Sequence, residues 1–232
     1  MKLVVVTGTG TEVGKTWVAA GLLRTARQAG LVVAARKPLQ SLDPGPGSPP
    51  AGSLGGAAST LAGSLGGASS TLAGSDAAVL GAASGEDPDV VCPPERTYLV
   101  PMAPPMAAER LGRPVPTLAS LAACLDIPAG ADLAVVEGAG GVASPLAADG
   151  DTADLARLIG ADVAVVVTEP ALGVISSARL AARALHPVPV VVHLNRFDER
   201  DELHRLNRQW LSTRDGLDVT TTLGELLEAV RP

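Results

Sequence analysis

The residues best suited to handling phosphate and charge begin close to the N-terminus. Gly8-Thr9-Gly10-Thr11-Glu12-Val13-Gly14-Lys15-Thr16 follows a short apolar run and precedes a helical pattern. Glycines in such a loop let backbone N–H groups turn inward around an anion, and the helix start adds partial positive charge. A lysine at Lys15 reaches the β- and γ-phosphates of a nucleotide, and a hydroxyl at Thr16 can ligate Mg²⁺. The loop is one residue longer than the strict G-x-x-x-x-G-K-[ST] pattern. A glycine-rich turn that only caps a helix is the bland alternative.

Two further residues belong with that loop. Glu137 closes the apolar run Leu133 to Val136 and opens Glu137-Gly138-Ala139-Gly140-Gly141, so its carboxylate emerges at a strand end. Gly138, Gly140 and Gly141 permit close approach of a ligand. Mg²⁺ on a nucleotide takes one or two carboxylates plus phosphate oxygens and water, which Glu137 suits. Lys37-Pro38 follows a second strand, where ligands bind in open α/β sheets; an ordinary surface lysine is the competing reading.

The elements that must position these groups alternate. Leu3 to Val6 is uninterrupted and β-branched, as expected of a strand buried on both faces. Lys15 to Gln28 reads as a helix ending near Gly30. Further strands are predicted at Leu31 to Ala35, Leu133 to Val136, Val163 to Val167 and Val188 to Leu194, with helices over Asp154 to Ile159 and Ser176 to Leu185. Alternating units imply an α/β doubly wound domain, a mainly parallel sheet with helices on both faces. From Phe197 onward the chain is charged, and no element is assigned there.

The middle breaks the pattern. Residues 51–61 read AGSLGGAASTL and residues 62–72 read AGSLGGASSTL. Glycines at that density oppose a helix, so the 46–75 stretch is read as a flexible low-complexity insertion in a single domain spanning 1–232.

The string TGTGTEVGKT resembles the signature of the dethiobiotin synthetases, within the wider class of P-loop proteins. VEGAGG is similar to that family's second signature. The resemblance implies ATP at Gly10, Thr11, Glu12, Val13, Gly14, Lys15 and Thr16, with Asn195 recognising the base. It implies Mg²⁺ held by Thr16, Glu137 and an aspartate opening a helix. Ser75-Asp76-Ala77-Ala78-Val79-Leu80 fits that setting, with Asp43, Asp87 and Asp89 as rivals; an ordinary helix cap is compatible with Asp76.

Lys37-Pro38-Leu39-Gln40-Ser41 is similar to the family's substrate loop. The implied substrates are 7,8-diaminononanoate, CO₂ and ATP, joined through a carbamate and a carbamic–phosphoric anhydride. Lys15, Lys37, Thr11 and Ser41 are the implied catalytic set. Leu172, Gly173, Val174 and Ile175 are implied to hold the substrate carboxylate across a homodimer interface. Tyr98 to Val115 resembles the family's proline-rich segment beside the substrate. A partition-type ATPase or nucleotide-switched scaffold is the alternative from another class, but its second lysine is replaced by Gly10. A degenerate, inactive synthetase is a further alternative.

Composition bounds the rest. Hydrophobic residues make up 47% and aromatics 2%, so a core must be built from Ala, Val and Leu. A net charge of −6 argues against nucleic acid as the main partner. Cys92 and Cys124 lack metal-like spacing and read as reduced, inert thiols, with a disulfide the lesser reading. No apolar stretch is long enough to span a membrane, and the expected location is the cytoplasm.

Overall fold

The computed structural model describes residues 1–43 and 74–232. Both 11-residue copies, and all of the 46–75 stretch except Gly74 and Ser75, lie outside the described residues. The first elements are β1 (Lys2–Gly8), α1 (Lys15–Gln28), β2 (Val33–Arg36) and β3 (Gln40–Ser41). Then come α2 (Asp76–Ser84), α3 (Pro88–Val91), β4 (Thr97–Tyr98), α4 (Pro104–Arg110) and α5 (Leu118–Ala123). The middle of the domain supplies β5 (Leu133–Glu137), β6 (Pro145–Ala147), β7 (Gly150–Asp151), α6 (Thr152–Leu158) and β8 (Val163–Thr168). The last elements are α7 (Val174–Leu185), β9 (Val190–Leu194), α8 (Glu202–Gln209), β10 (Asp218–Thr220) and α9 (Leu223–Val230).

Six strands form one parallel sheet in the order β10-β9-β8-β1-β5-β2. The period-two alternation of a strand explains why nearly continuous valine runs are needed. Leu3, Val5, Ala134, Val136, Ala164 and Val166 face one way and pack with Leu121, Leu155 and Leu185. Val4, Val6, Val135, Val165 and Val167 face the other way onto Val18, Leu22 and Leu23 of α1, Leu80 of α2 and Leu226 of α9. The expected doubly wound arrangement is therefore present. The chain proceeds from β1 to β2 on one side and later to β8, β9 and β10 on the other. The crevice of such a sheet opens where that direction reverses, at the carboxyl ends of the strands.

The second strand begins at Val33 and extends to Arg36, later than predicted. The fifth predicted strand begins at Val190, after Pro189. The charged tail carries more structure than its composition signals: α8, β10 and α9. Asp218, Val219 and Thr220 pair with Val191, Val192 and His193, giving a sixth strand the sequence reading omitted. Its short length hides a period, and its pairing partner is distant in sequence.

Candidate active site

The turn after β1 is built for close backbone approach. Gly14 caps α1 at φ 92°, and Glu12 adopts φ 62°. A Cβ on Gly14 would sit 2.2 Å from Asn195 Nδ2, so glycine is required there by conformation and by space. No side chain caps α1 among the described residues, and its first turn holds no acidic residue. Its leading N–H groups are therefore available to an anion. Lys15 is buried and donates through Nζ to the Gly10 carbonyl at 2.8 Å. Burial, then the nearby Lys37 charge, pushes the Lys15 ammonium below its ordinary range, against Glu137 and Asp76. A cation held at that cost is stabilised by an arriving anion.

β2 delivers Lys37. The buried Arg36 beside it pairs with Glu86 at 2.8 Å, and the Lys37 N–H donates to Val91 O at 2.7 Å, so the strand exit is pinned. Lys37 is itself buried, with Nζ 2.6 Å from Glu137 Oε1 and 2.8 Å from Asp76 Oδ2. It also donates to the Gly138 carbonyl at 3.1 Å. Burial opposes the Lys37 charge, but Glu137 and Asp76 more than compensate and hold it protonated above the ordinary lysine range. Asp76 is held below the usual carboxylate range: its burial works the other way, but the Lys37 ammonium and the Thr16 hydroxyl outweigh it. At Glu137 burial pushes the carboxyl up, with the Lys37 charge opposing it.

Thr16, Asp76 and Glu137 come together as one cluster. Thr16 Oγ1 lies 2.9 Å from Asp76 Oδ1 and 2.8 Å from Glu137 Oε1. Glu137 Oε2 is buried without a hydrogen-bond partner among the described residues. An orphaned buried carboxylate oxygen costs free energy unless something else meets it. A hydroxyl, two carboxylates and an orphan oxygen beside a phosphate loop fit Mg²⁺, which completes its shell with phosphate oxygens and water. No group of three or more His, Cys, Asp or Glu able to hold a metal occurs among the described residues. Of the rival aspartates, Asp87 instead caps α3, accepting from Asp89 N.

A cleft of about 650 Å³ opens over this cluster, lined also by Thr11, Glu12, Gly14, Ser41 and Gly140. Ser41 Oγ is a buried hydroxyl without a partner among the described residues. The loop after Glu137 is tied to β1 by Gly138 N–H to Val6 O at 3.0 Å and Val142 N–H to Gly8 O at 2.9 Å. Gly141 lies against Gly10, while a Cβ on Gly138 would meet the Thr152 side chain at 2.5 Å. Pro101 to Pro104, from the proline-rich segment, form part of the wall.

Asn195 and the turn from Leu172 to Ile175 lie apart from that lining. Asn195 donates to the Val13 carbonyl at 2.9 Å, bracing the phosphate loop from β9. Leu172 is 91% exposed, and Gly173 at φ 97° caps α7. Val174 is buried in the core between α7 and β9, so this turn is a separate surface. The sequence reading also missed lining residues. Gln40 accepts from Ala77 N–H and donates to Thr97, tying the Lys37 loop to α2 and β4. Ser144 and Trp17 line the cleft too. Trp17 directly follows Thr16, and that adjacency was the available signal. Cys92 is buried and Cys124 exposed, both free, and burial pushes the Cys92 thiol up to about 11.

A family model described as an AAA domain matches residues 2–219. An ATP-dependent dethiobiotin synthetase BioD of Anaeromyxobacter dehalogenans (strain 2CP-C) is 36% identical over 206 residues, 87% of this chain and 80% of that protein. One from Rhodococcus jostii (strain RHA1) is 38% identical over 191 residues, 80% of this chain and 68% of that protein. One from Mycobacterium bovis (strain BCG / Pasteur 1173P2) is 36% identical over 188 residues, 80% of this chain and 69% of that protein.

Proposed function

The chain belongs to the dethiobiotin synthetase family of ATP-dependent ligases, and from that premise we propose that it converts 7,8-diaminononanoate and CO₂ to dethiobiotin at the cleft between the phosphate loop and Lys37. One amine captures CO₂ as a carbamate, whose oxygen attacks the γ-phosphorus of ATP and releases ADP. The second amine then attacks the carbonyl carbon of the resulting carbamic–phosphoric anhydride, closing the cyclic urea and expelling phosphate. The observation that carries the reading is Lys37, a buried ammonium beside two carboxylates and directly across from the phosphate loop.

The physical demand is charge. An anionic carbamate must approach an anionic triphosphate, and preorganised cations in a water-poor cleft offset that repulsion. Lys15 meets the phosphates, while Lys37 meets the carbamate and the γ-phosphate. Thr11 and the Ser41 hydroxyl, which has no partner among the described residues, hydrogen-bond the reacting groups. Thr16, Asp76 and Glu137 would hold Mg²⁺, which when bound supplies charge neutralisation at the phosphate oxygens. Gly138, Gly140 and Gly141 let substrate approach the backbone. Leu172 to Ile175 would receive the substrate carboxylate of a second copy in a cytoplasmic homodimer; the exposure of Leu172 suits such a contact.

The test is phosphate release from ATP with Mg²⁺ and bicarbonate, with and without the diamine. Diamine-dependent release with a product of dethiobiotin mass is the expected outcome. Release indifferent to the diamine, in folded protein that binds ATP, would overturn the assignment.

A further inference from the structure

The chain has four aromatic side chains of the Phe, Trp and Tyr types: Trp17, Tyr98, Phe197 and Trp210. Three are engaged. Arg113 stacks over Tyr98 at 4.6 Å, Arg208 lies over Phe197 at 5.7 Å, and Arg214 lies over Trp210 at 5.9 Å. Trp17 alone has no ring or cation contact among the described residues, and it is 56% exposed while lining the cleft. A large indole left in water at the mouth of a polar site gains if a flat ligand covers it.

The location selects the ligand. Trp17 is three residues after Gly14 and four before Gly21, the spacings that make helix side chains neighbours. Gly14 abuts Asn195 at the carboxyl end of β9, and Gly21 abuts Leu223 at the start of α9. Both are on the β9 side of β1. Lys37 and Glu137 rise from β2 and β5 on the other side. With the triphosphate on the loop between them, the reacting diamine belongs on the β5 side of that loop and the base on its β9 side, where the Trp17 edge of the cleft borders Gly14.

We propose that the Trp17 indole is the stacking platform for the nucleobase, so that this chain holds its nucleotide partly by a π-face that any base can supply. The inference rests on the nucleotide site described above and adds the means of base recognition. Stacking on an aromatic face tolerates base identity, because every base presents such a face.

The experiment measures binding of ATP, CTP and inorganic tripolyphosphate to the full chain, to Trp17→Ala and to Trp17→Phe. A Trp210→Phe background makes Trp17 the sole tryptophan, so its fluorescence reports the contact directly. The expected result is quenching by ATP and CTP but not by tripolyphosphate. Trp17→Ala weakens both nucleotides by about 10-fold or more, leaves tripolyphosphate unchanged, and Trp17→Phe recovers most of the loss. Equal weakening of tripolyphosphate would overturn the proposal by showing that Trp17 shapes the phosphate loop. Unchanged nucleotide binding with a raised KM for the diamine would overturn it by assigning the indole to the substrate. A loss for ATP alone would overturn the base-tolerant reading. Failure of the unsubstituted chain to bind tripolyphosphate or ATP would instead remove the nucleotide site itself, and the platform with it.

Discussion

Lys37 is the most tightly constrained charge in the cleft, because one ammonium satisfies Asp76, Glu137 and the Gly138 carbonyl together. Replacing it with a neutral donor keeps much of the hydrogen bonding and removes the charge. We expect Lys37→Gln to lower diamine-dependent turnover by about 100-fold or more, the usual scale for losing a preorganised electrostatic contact, with ATP affinity largely retained. Phosphate release and nucleotide titration of the same folded protein check this; undiminished turnover would sink the role. The phosphate loop shows a second contrast at this scale. A Cβ on Gly10 meets nothing within 4 Å, whereas one on Gly14 runs into Asn195. The two glycines looked alike as letters, and only the second is demanded by its surroundings.

At the scale of elements, helix starts divide by task. α2, α6, α8 and α9 begin on Ser75, Asp151, Asp201 and Thr222, each accepting a backbone N–H. α1 and α7 begin instead on left-handed glycines with no side-chain cap among the described residues, and both were singled out for anions. Caps consume the donors that an anion would use, so capping and binding exclude each other at one helix end. Thr222 and Glu225 form a capping box on α9, away from the cleft lining. Thr222→Ala should therefore cost about 1 kcal/mol in urea unfolding and leave turnover intact. A loss of activity larger than the loss of folded protein would contradict that separation. Helix α1 was legible because its buried stripe repeats over fourteen residues. β10 was not, because three residues, two of them polar, carry no usable period.

For the whole molecule, the acidic balance hides a buried imidazole. His193 is 2% exposed, with Nδ1 3.0 Å from Thr220 Oγ1 across the β9–β10 ladder. Burial pushes its imidazole down to about 4, with Glu225 opposing weakly. Above pH 6.5, the ordinary histidine value, both folded and unfolded chains carry it neutral, and its contribution is complete. As pH falls from there toward about 4, the unfolded chain takes the proton first, so stability drops. The loss should reach roughly 3 kcal/mol and then level off. Urea unfolding across this range, compared with His193→Asn, checks it: the variant should lack that portion of the slope, and parallel curves would refute the assignment.

The sequence alone determined what depends on neighbours along the chain. Valine runs declare strands buried on both faces, the Gly-Lys-Thr turn declares a phosphate loop, and Glu137 before its glycines declares a strand-end acid. Each rests on a local period or on backbone geometry, and a few residues suffice to specify either. The tertiary structure alone decided which of several aspartates stands beside Thr16, that Lys37 bridges Asp76 and Glu137, and that Asn195 braces the phosphate loop at Val13. It also decided that the charged tail completes the sheet and that Trp17 stands open in the cleft. Those relations join residues far apart in the chain through the strand order β10-β9-β8-β1-β5-β2. That order follows from the packing of two helix layers on one sheet, a property of the assembled core that no single segment contains.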